Sequence, residues 1–246
     1  MPPGADCLLI ANDAIIVLRG PVPLSQLKSA RQAAGWTQHK AAVRLGVSQP
    51  YYSQLENGSR PMPLDLTLAA VRRLRLSPVV LPLAALAPRL SPVPEDQAAA
   101  VLAWLGYPGF AHLRKSVRPL NPAELVARAL AHEDLDPRVL EGLPWVLAAF
   151  YDLDWKWLGA QCRLLNRQNQ LGFLVTLSAQ LGNPGAEHLR AMLPDLDASR
   201  LAAEGTLCRG SMPESERNWL RQNRSPEAAH WNLLTGMTVE QLTHAV

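Results

Sequence analysis

The stretch Thr37–Gly58, TQHKAAVRLGVSQPYYSQLENG, predicts two short helices joined by a tight turn. Thr37 is a good N-cap for the first helix, and Gly46 can adopt the left-handed conformation that a tight turn requires. Ser48 can cap the second helix, and Pro50 falls in its first turn, where a missing N–H is tolerated. The spacing therefore predicts a helix-turn-helix.

The second helix has one apolar and one polar side. Tyr52 and Leu55 are three residues apart and should face inward, which leaves polar side chains on the outer, N-terminal part of the helix. In helix-turn-helix proteins this part enters the major groove, where glutamine can make a bidentate contact with adenine. The outward side chains are Gln49, Tyr51, Ser53 and Gln54.

Charge is unevenly distributed along the chain. Residues 24–76 contain eight Lys or Arg and two acidic residues, whereas residues 77–246 contain 15 basic and 17 acidic residues. This asymmetry indicates a polyanion-binding domain joined to a near-neutral body, although ordinary surface solubility would also account for it.

Residues 24–76 resemble the Cro/cI-type (XRE-family) helix-turn-helix domain, through Thr37-Gln38, Ala42, Leu45–Gln49 and Leu55–Gly58. The resemblance implies a compact five-helix, lambda-repressor-like domain with Ser48–Asn57 as recognition helix. Base reading by Gln49 and Gln54 is implied, with phosphate contacts from Gln38 and the backbone after Asn57. The full DNA-binding set is Gln38, Arg44, Ser48, Gln49, Pro50, Tyr51, Ser53, Gln54, Asn57, Gly58, Ser59 and Arg60.

Three further expectations follow from this resemblance. Arg31 and Glu56 occupy positions at which the family commonly has an ion pair, which predicts a link between the first and third helices. Ala41 replaces a larger aliphatic residue and Val43 a polar one, so the first helix of the motif could pack unusually. A homodimer, if formed, would bind half-sites about one helical turn apart, ~34 Å.

The rest of the chain divides by composition. Residues 1–23 hold two aliphatic runs, Cys7–Ile10 and Ala14–Leu18, around Asn12-Asp13, and predict a short β-hairpin. Residues 77–94 hold five prolines and predict a linker. The expected fold is all-α, with a multi-helix domain over 95–246. Its helices are predicted at 95–105, 121–133, 136–151, 153–166, 168–182, 185–192, 196–204, 214–222, 226–235 and 238–245.

The helical domain contains a stretch rich in tryptophan and arginine, from Leu143 to Leu181. Such residues are favoured anchors in protein interfaces, although a Trp-filled core is the alternative. Residues 95–185 also resemble, more weakly, antitoxin regulators of AbiE-like nucleotidyltransferase toxin systems, which implies a toxin partner and repression of a shared operon. A second candidate surface is the run from Trp219 to Trp231, with Arg217, Arg221 and Arg224. The expected partner-binding residues are Trp155, Arg163, Arg167 and Trp231.

Other functions have weaker support. Six histidines are scattered singly, three cysteines form no CxxC pair, and motifs for nucleotide binding or hydrolysis are absent from the sequence. We expect no catalytic residue, metal, cofactor or membrane span, and a cytoplasmic location. The alternatives are a ligand-sensing repressor, which would need a pocket in the helical domain, and an enzyme fused to a regulatory DNA-binding domain.

Overall fold

The computed structural model describes residues 8–11, 14–17, 24–113 and 117–242. The chain forms two compact units, Met1–Ala85 and Leu86–Val246, so the division falls inside the predicted linker. The architecture is mostly helical, which confirms the all-α fold class. Among the described residues, every helix is too short or too polar to cross a membrane.

The N-terminal residues contain the predicted hairpin. Strand β1 (Leu8–Ala11) pairs antiparallel with β2 (Ala14–Val17), in a register that places Leu8 opposite Val17 and Ala11 opposite Ala14. The predicted turn at Asn12-Asp13 lies outside the described residues.

The helix-turn-helix unit contains four α-helices between residues 24 and 76, where five were expected. They are α1 (Leu24–Ala33), α2 (Gln38–Leu45), α3 (Gln49–Glu56) and α4 (Leu64–Leu74), and a single 3-10 turn follows at Pro78–Val80. The correction has a simple cause. This part of the sequence has only three groups of helix-breaking residues, at 35–37, 46–48 and 57–63, and three interruptions produce four helices.

The second unit consists of eight α-helices and a minimal parallel strand pair among its described residues. The elements are α5 (Glu95–Leu105), α6 (Pro122–Leu130), α7 (Pro137–Ala149), α8 (Trp155–Leu164), α9 (Gln168–Gln180), α10 (Ala186–Ala198), β3 (Gly205–Thr206), α11 (Glu214–Asn223), α12 (Pro226–His230) and β4 (Leu233–Leu234). Short 3-10 turns lie at Pro108–Phe110 and Val239–Gln241. Four of these helices begin at a side-chain cap that accepts a hydrogen bond from the first turn: Asn121, Asp136, Asp154 and Ser225.

Helix α9 is the centre of this unit. The polar side chains of its first turn hydrogen-bond to a non-helical segment elsewhere in the chain. Asn169 exchanges two hydrogen bonds with the backbone of Leu201, at 2.9 and 2.8 Å. Gln168 and Gln170 donate to the carbonyls of Ser199 and Thr206. The expected helix at 196–204 is therefore wrong: α10 continues through Pro194 to Ala198, and residues 199–204 form an irregular segment with a turn and a bend.

Two expectations near the C-terminus are also corrected. The predicted helix at 226–235 ends at His230, because the chain then enters strand β4. Of the predicted helix at 238–245, the described residues contain only the 3-10 turn at Val239–Gln241.

Trp231 closes the core of the second unit against a glycine of α9. The side chain is 1% exposed, and its indole N–H donates to the hydroxyl of Thr176 at 2.9 Å. A Cβ atom added to Gly172 would lie 2.3 Å from the indole ring, well inside van der Waals contact. The space for Trp231 therefore exists only because residue 172 has no side chain.

Replacement of Gly172 by alanine should consequently destabilise the second unit. The added methyl must displace Trp231 or shift α9, and overpacking of this kind typically costs about 1–3 kcal/mol. The free energy of unfolding, measured by urea titration, is the readout. Gly159→Ala on α8 is the matched control, because its Cβ would meet only the flexible end of Arg163 at 3.5 Å. The control should be neutral or slightly stabilising. Equal losses in both variants would contradict the close packing of Trp231 on Gly172.

Candidate nucleic-acid interface

The turn between α2 and α3 has the predicted geometry. Thr37 Oγ1 accepts a hydrogen bond from the backbone N–H of Lys40 at 3.1 Å, and Ser48 Oγ accepts one from that of Tyr51 at 3.4 Å. Gly46 has φ +74°, in the left-handed region that favours glycine. Pro50 occupies the first turn of α3. The local chemistry of these residues therefore sets the angle between the two helices.

Helix α3 divides into a buried and an accessible side, as predicted. Tyr52 is fully buried and Leu55 nearly so. The outward side chains differ in exposure: Gln54 is exposed, whereas Gln49, Tyr51 and Ser53 are half-buried. Since α3 presents hydrogen-bonding groups along one side, it can offer donors and acceptors to base edges in a groove.

The predicted ion pair between α1 and α3 is confirmed. Arg31 Nη2 lies 2.8 Å from Glu56 Oε1, and the carboxylate side chain is 1% exposed. Arg31 Nε donates to the other carboxylate oxygen, Oε2, at 3.1 Å, and the third guanidinium nitrogen, Nη1, donates to the carbonyl of Trp36 at 2.9 Å. Burial, together with the nearby Glu56 charge, raises the pKa of Tyr52 to about 12. The phenol therefore stays neutral beside the carboxylate at physiological pH.

Two glutamines extend this ion pair to the recognition surface, a connection that the sequence did not reveal. Gln38 Nε2 donates to Glu56 Oε2 at 3.2 Å. Gln49 Nε2 in turn donates to Gln38 Oε1 at 2.9 Å. The proposed phosphate-binding and base-reading glutamines are thus joined to each other and to a buried charge.

The loop after α3 brings the remaining predicted residues to the end of the helix. Gly58 has φ +70°, and Ser59 Oγ donates to the carbonyl of Gln54 at 3.2 Å. Asn57 Nδ2 donates to Ser53 Oγ at 3.4 Å. The guanidinium of Arg60 stacks on the outward ring of Tyr51, 4.8 Å from its centroid. This loop therefore places a cation and several backbone groups beside the polar side of α3.

Arg44 lies apart from the other predicted DNA-binding residues. Its guanidinium stacks on Trp36 at 4.2 Å, and its carbonyl accepts a hydrogen bond from Arg73. Arg44 follows Gln38 by six residues, and each residue of an α-helix rotates the chain by about 100°, so the two side chains face different sides of α2. Trp36 and Arg73 are thus neighbours of Arg44 that sequence reasoning did not single out.

The two departures from the family pattern differ in their structural outcome. Ala41 is fully buried, whereas Val43 is 65% exposed in the middle of α2. Val43 therefore contributes to the surface of α2 rather than to its packing against the other helices.

The four expected partner-binding residues do not form one exposed surface. Trp231 is buried, so its expected place on an exposed partner surface is wrong. Trp155 is half-buried and its indole N–H donates to the carbonyl of Tyr151 at 2.9 Å. Arg167 forms an ion pair with Glu133, with Nη2 2.7 Å from Oε1, while Arg163 is exposed.

Trp219 on α11 is instead the tryptophan with a large exposed fraction, 60%. The neighbouring Leu220 is buried, which turns Trp219 toward the solvent. Trp219 begins the second candidate surface, and it and Leu220 are the only large apolar residues in an otherwise polar helix.

Comparison with known proteins agrees with this geometry. Residues 25–84 match the family model described as a helix-turn-helix domain. This part of the chain is a helix-turn-helix domain, and the match supports a DNA-binding regulator. Neither the curated proteins nor the solved structures gave a match to the chain.

Removal of Glu56 should strongly destabilise the helix-turn-helix unit. Glu56→Ala leaves the guanidinium of Arg31, which is only 15% exposed, without its carboxylate. Breaking a buried pair on one side typically costs about 3–5 kcal/mol. The measurement is the urea unfolding transition of this unit. The double variant Arg31→Met/Glu56→Leu removes both charges and should recover much of the loss; a loss below ~1 kcal/mol for Glu56→Ala would show that the pair behaves as an exposed one.

Proposed function

We propose that the chain is a sequence-specific transcriptional repressor, regulatory rather than enzymatic, that binds double-stranded DNA through α3. The observation that carries this proposal is the polar side of α3, with Gln49 and Gln54 outward and Arg60 beside it. Neutral amides are suited to base edges, and a guanidinium next to them is suited to phosphate. The helix-turn-helix match over residues 25–84 supports the same function.

The charge of the unit supports contact with a polyanion. Only Glu56 and Asp65 are acidic between residues 24 and 76, and Glu56 is paired with Arg31. Among the residues described, Lys40, Arg44 and Arg60 form no ion pair. Their charges are therefore available to phosphate groups, and binding should weaken as salt concentration rises.

Gln49→Ala should reduce affinity for the preferred DNA sequence and relax one base position. A bidentate contact between a side chain and a base discriminates by about 1–3 kcal/mol, and alanine removes both hydrogen-bonding groups. The preferred sequence is first obtained by selection from a randomised duplex library. Binding of the selected duplex and of single-base variants is then measured by fluorescence anisotropy.

Arg60→Ala is the matched control for that experiment, because it removes charge rather than base reading. It should weaken selected and random duplexes alike and reduce the slope of log affinity against log salt by about one. Equal losses on selected and random DNA for Gln49→Ala would contradict base reading by Gln49. A wild-type affinity that does not depend on salt would contradict the whole DNA-binding proposal.

We further propose that the second unit binds a protein partner. More specifically, we propose that the chain is an antitoxin and that the partner is its toxin. The support is Trp219, since a solvent-exposed tryptophan gains much free energy when a partner buries it. The flanking Arg221 is held by Glu204 and Glu214, at 2.8 and 3.0 Å, which gives the surface around α11 a defined shape.

Trp219→Ala should weaken binding to the product of the neighbouring gene and leave folding and DNA binding unchanged. Loss of a central aromatic anchor typically costs ~2 kcal/mol or more of binding free energy. Co-purification of the two co-expressed proteins, followed by titration calorimetry, measures this loss. Gln222→Ala on the same helix is the matched control and should retain the partner. If Trp219→Ala binds as tightly as the wild type, α11 is not the interface.

A ligand-sensing repressor is the second candidate, favoured by a cavity of about 420 Å³ in the second unit. Its walls are mostly apolar, with Leu140, Met212, Leu220 and Leu234 among them, and Glu141 and Arg209 supply polar groups. This volume suits a small molecule. Ligand-dependent release of the selected duplex, with no neighbouring protein present, would favour this function over a protein partner.

A further inference from the structure

The cavity of about 420 Å³ in the second unit has a mostly apolar interior. A buried cluster, Met212, Leu220 and Leu234, forms one part of its wall. The start of α7 and the segment that follows β4 form other parts. Cavities of ~300–1,000 Å³ with apolar walls and a few polar groups are typical of small-molecule sites. The polar groups of the wall should therefore show which class of molecule fits.

Sulfur-containing side chains line much of this cavity: Cys208, Met212 and Met237. Thioethers adapt to irregular shapes and make favourable contacts with aromatic rings. Burial raises the pKa of the Cys208 thiol to about 12, so the thiol stays neutral and adds to the apolar wall. These residues therefore suit the aromatic body of a ligand.

Most of the polar side chains at the wall already have partners within the protein. The guanidinium of Arg209 forms an ion pair with Glu216. Thr235 Oγ1 and Gln241 Oε1 each accept a backbone N–H of their own segment, at 3.2 and 3.3 Å. An anionic ligand would therefore meet a guanidinium whose charge is already balanced.

Glu141, near the start of α7, differs from these side chains. It lines the cavity and is exposed to solvent. Among the described residues, its carboxylate has neither an ion pair nor a hydrogen bond. The edge of an apolar cavity thus carries an unbalanced negative charge, and that combination favours a ligand with an apolar body and one positive charge.

We propose that this cavity binds a small aromatic amine in its protonated form, with Glu141 as the counterion. The aromatic body would contact Met212 and Met237, and the ammonium group would stay partly hydrated beside Glu141. Partial hydration avoids the large cost of burying a charge completely. This inference names the ligand class of the ligand-sensing function, the second candidate above, and rests on that function.

The experiment compares three probes that share one apolar body and differ in charge. Phenylbutylamine is a cation at neutral pH, phenylbutanol is neutral and phenylbutyrate is an anion, each with the phenyl ring at the far end of the chain. Binding to the full-length protein is measured by ligand-observed NMR titration. The amine should bind about two- to fivefold more tightly than the alcohol, the range expected for an ion pair near solvent. The carboxylate should bind most weakly.

Glu141→Gln should remove the advantage of the amine and leave the affinity of the alcohol unchanged, because only the ion pair is lost. Glu187→Gln is the matched control, since Glu187 is exposed on α10 and lies outside the cavity wall. This control should leave all three affinities unchanged.

Gly236→Leu tests whether the probes occupy the cavity. Gly236 lines the cavity, and a Cβ atom added there would meet only Leu220 Cδ2, at 4.0 Å. A leucine at this position should fill part of the space without a backbone clash, so all three probes should lose most of their affinity. Retained binding would place the probes elsewhere and overturn the proposed site. If Gly236→Leu does not fold, Glu141→Gln decides, because its side chain is exposed.

The remaining outcomes separate the ligand class from the function on which it rests. Equal affinities for the amine and the alcohol, or an amine advantage that survives in Glu141→Gln, overturn the ligand class while ligand sensing and DNA binding stand. Absence of binding for all three probes overturns the site. Amine binding that depends on Glu141 but does not release the selected duplex supports the site and overturns the ligand-sensing function.

Discussion

The buried carboxylate of Glu56 is the constraint on which the helix-turn-helix unit depends. It ends α3, and its side chain is 1% exposed, so an uncompensated charge there would be very unfavourable. Arg31 satisfies it from α1, and Gln38 satisfies it from α2. Because one acidic group has partners on α1 and on α2, the position of α3 relative to these two helices is set by hydrogen-bond geometry as well as by apolar packing. A pair of this kind contributes more to orientation than to net stability.

The second unit uses buried polar side chains in a related way, but to hold irregular backbone. Asn169 satisfies both the N–H and the C=O of Leu201, and Asn232 donates to the same carbonyl at 2.8 Å. Backbone groups outside helices and strands must find partners when they are buried. The amides at the start of α9 supply those partners. The polar run in a Trp-rich part of the sequence is therefore explained by the chain segment that it holds, with no ligand required.

Local chemistry accounts for what the sequence could predict. The caps, the left-handed Gly46 and the two sides of α3 depend on residues within a few positions of each other, and all of them were predicted. The position of Trp231 depends on Gly172, which is 59 residues away and is recognisable only once α9 and the C-terminal segment are in contact. The path of residues 199–206 likewise depends on amides some 30 residues earlier. Such long-range partners leave no periodic signal in the sequence.

In the proposed DNA-binding function, affinity and selectivity depend on different side chains. Cations such as Arg60 act on phosphates through a long-range attraction that salt screens. The proposed base-reading groups are neutral amides, whose discrimination depends on hydrogen-bond direction rather than charge. Gln49 donates to Gln38, and Gln38 donates to the carboxylate of Glu56, which is shielded from solvent by burial. A change in ionic strength should therefore alter how tightly the protein binds much more than which sequence it prefers, since salt screens charges and leaves the hydrogen-bond directions of neutral amides unchanged.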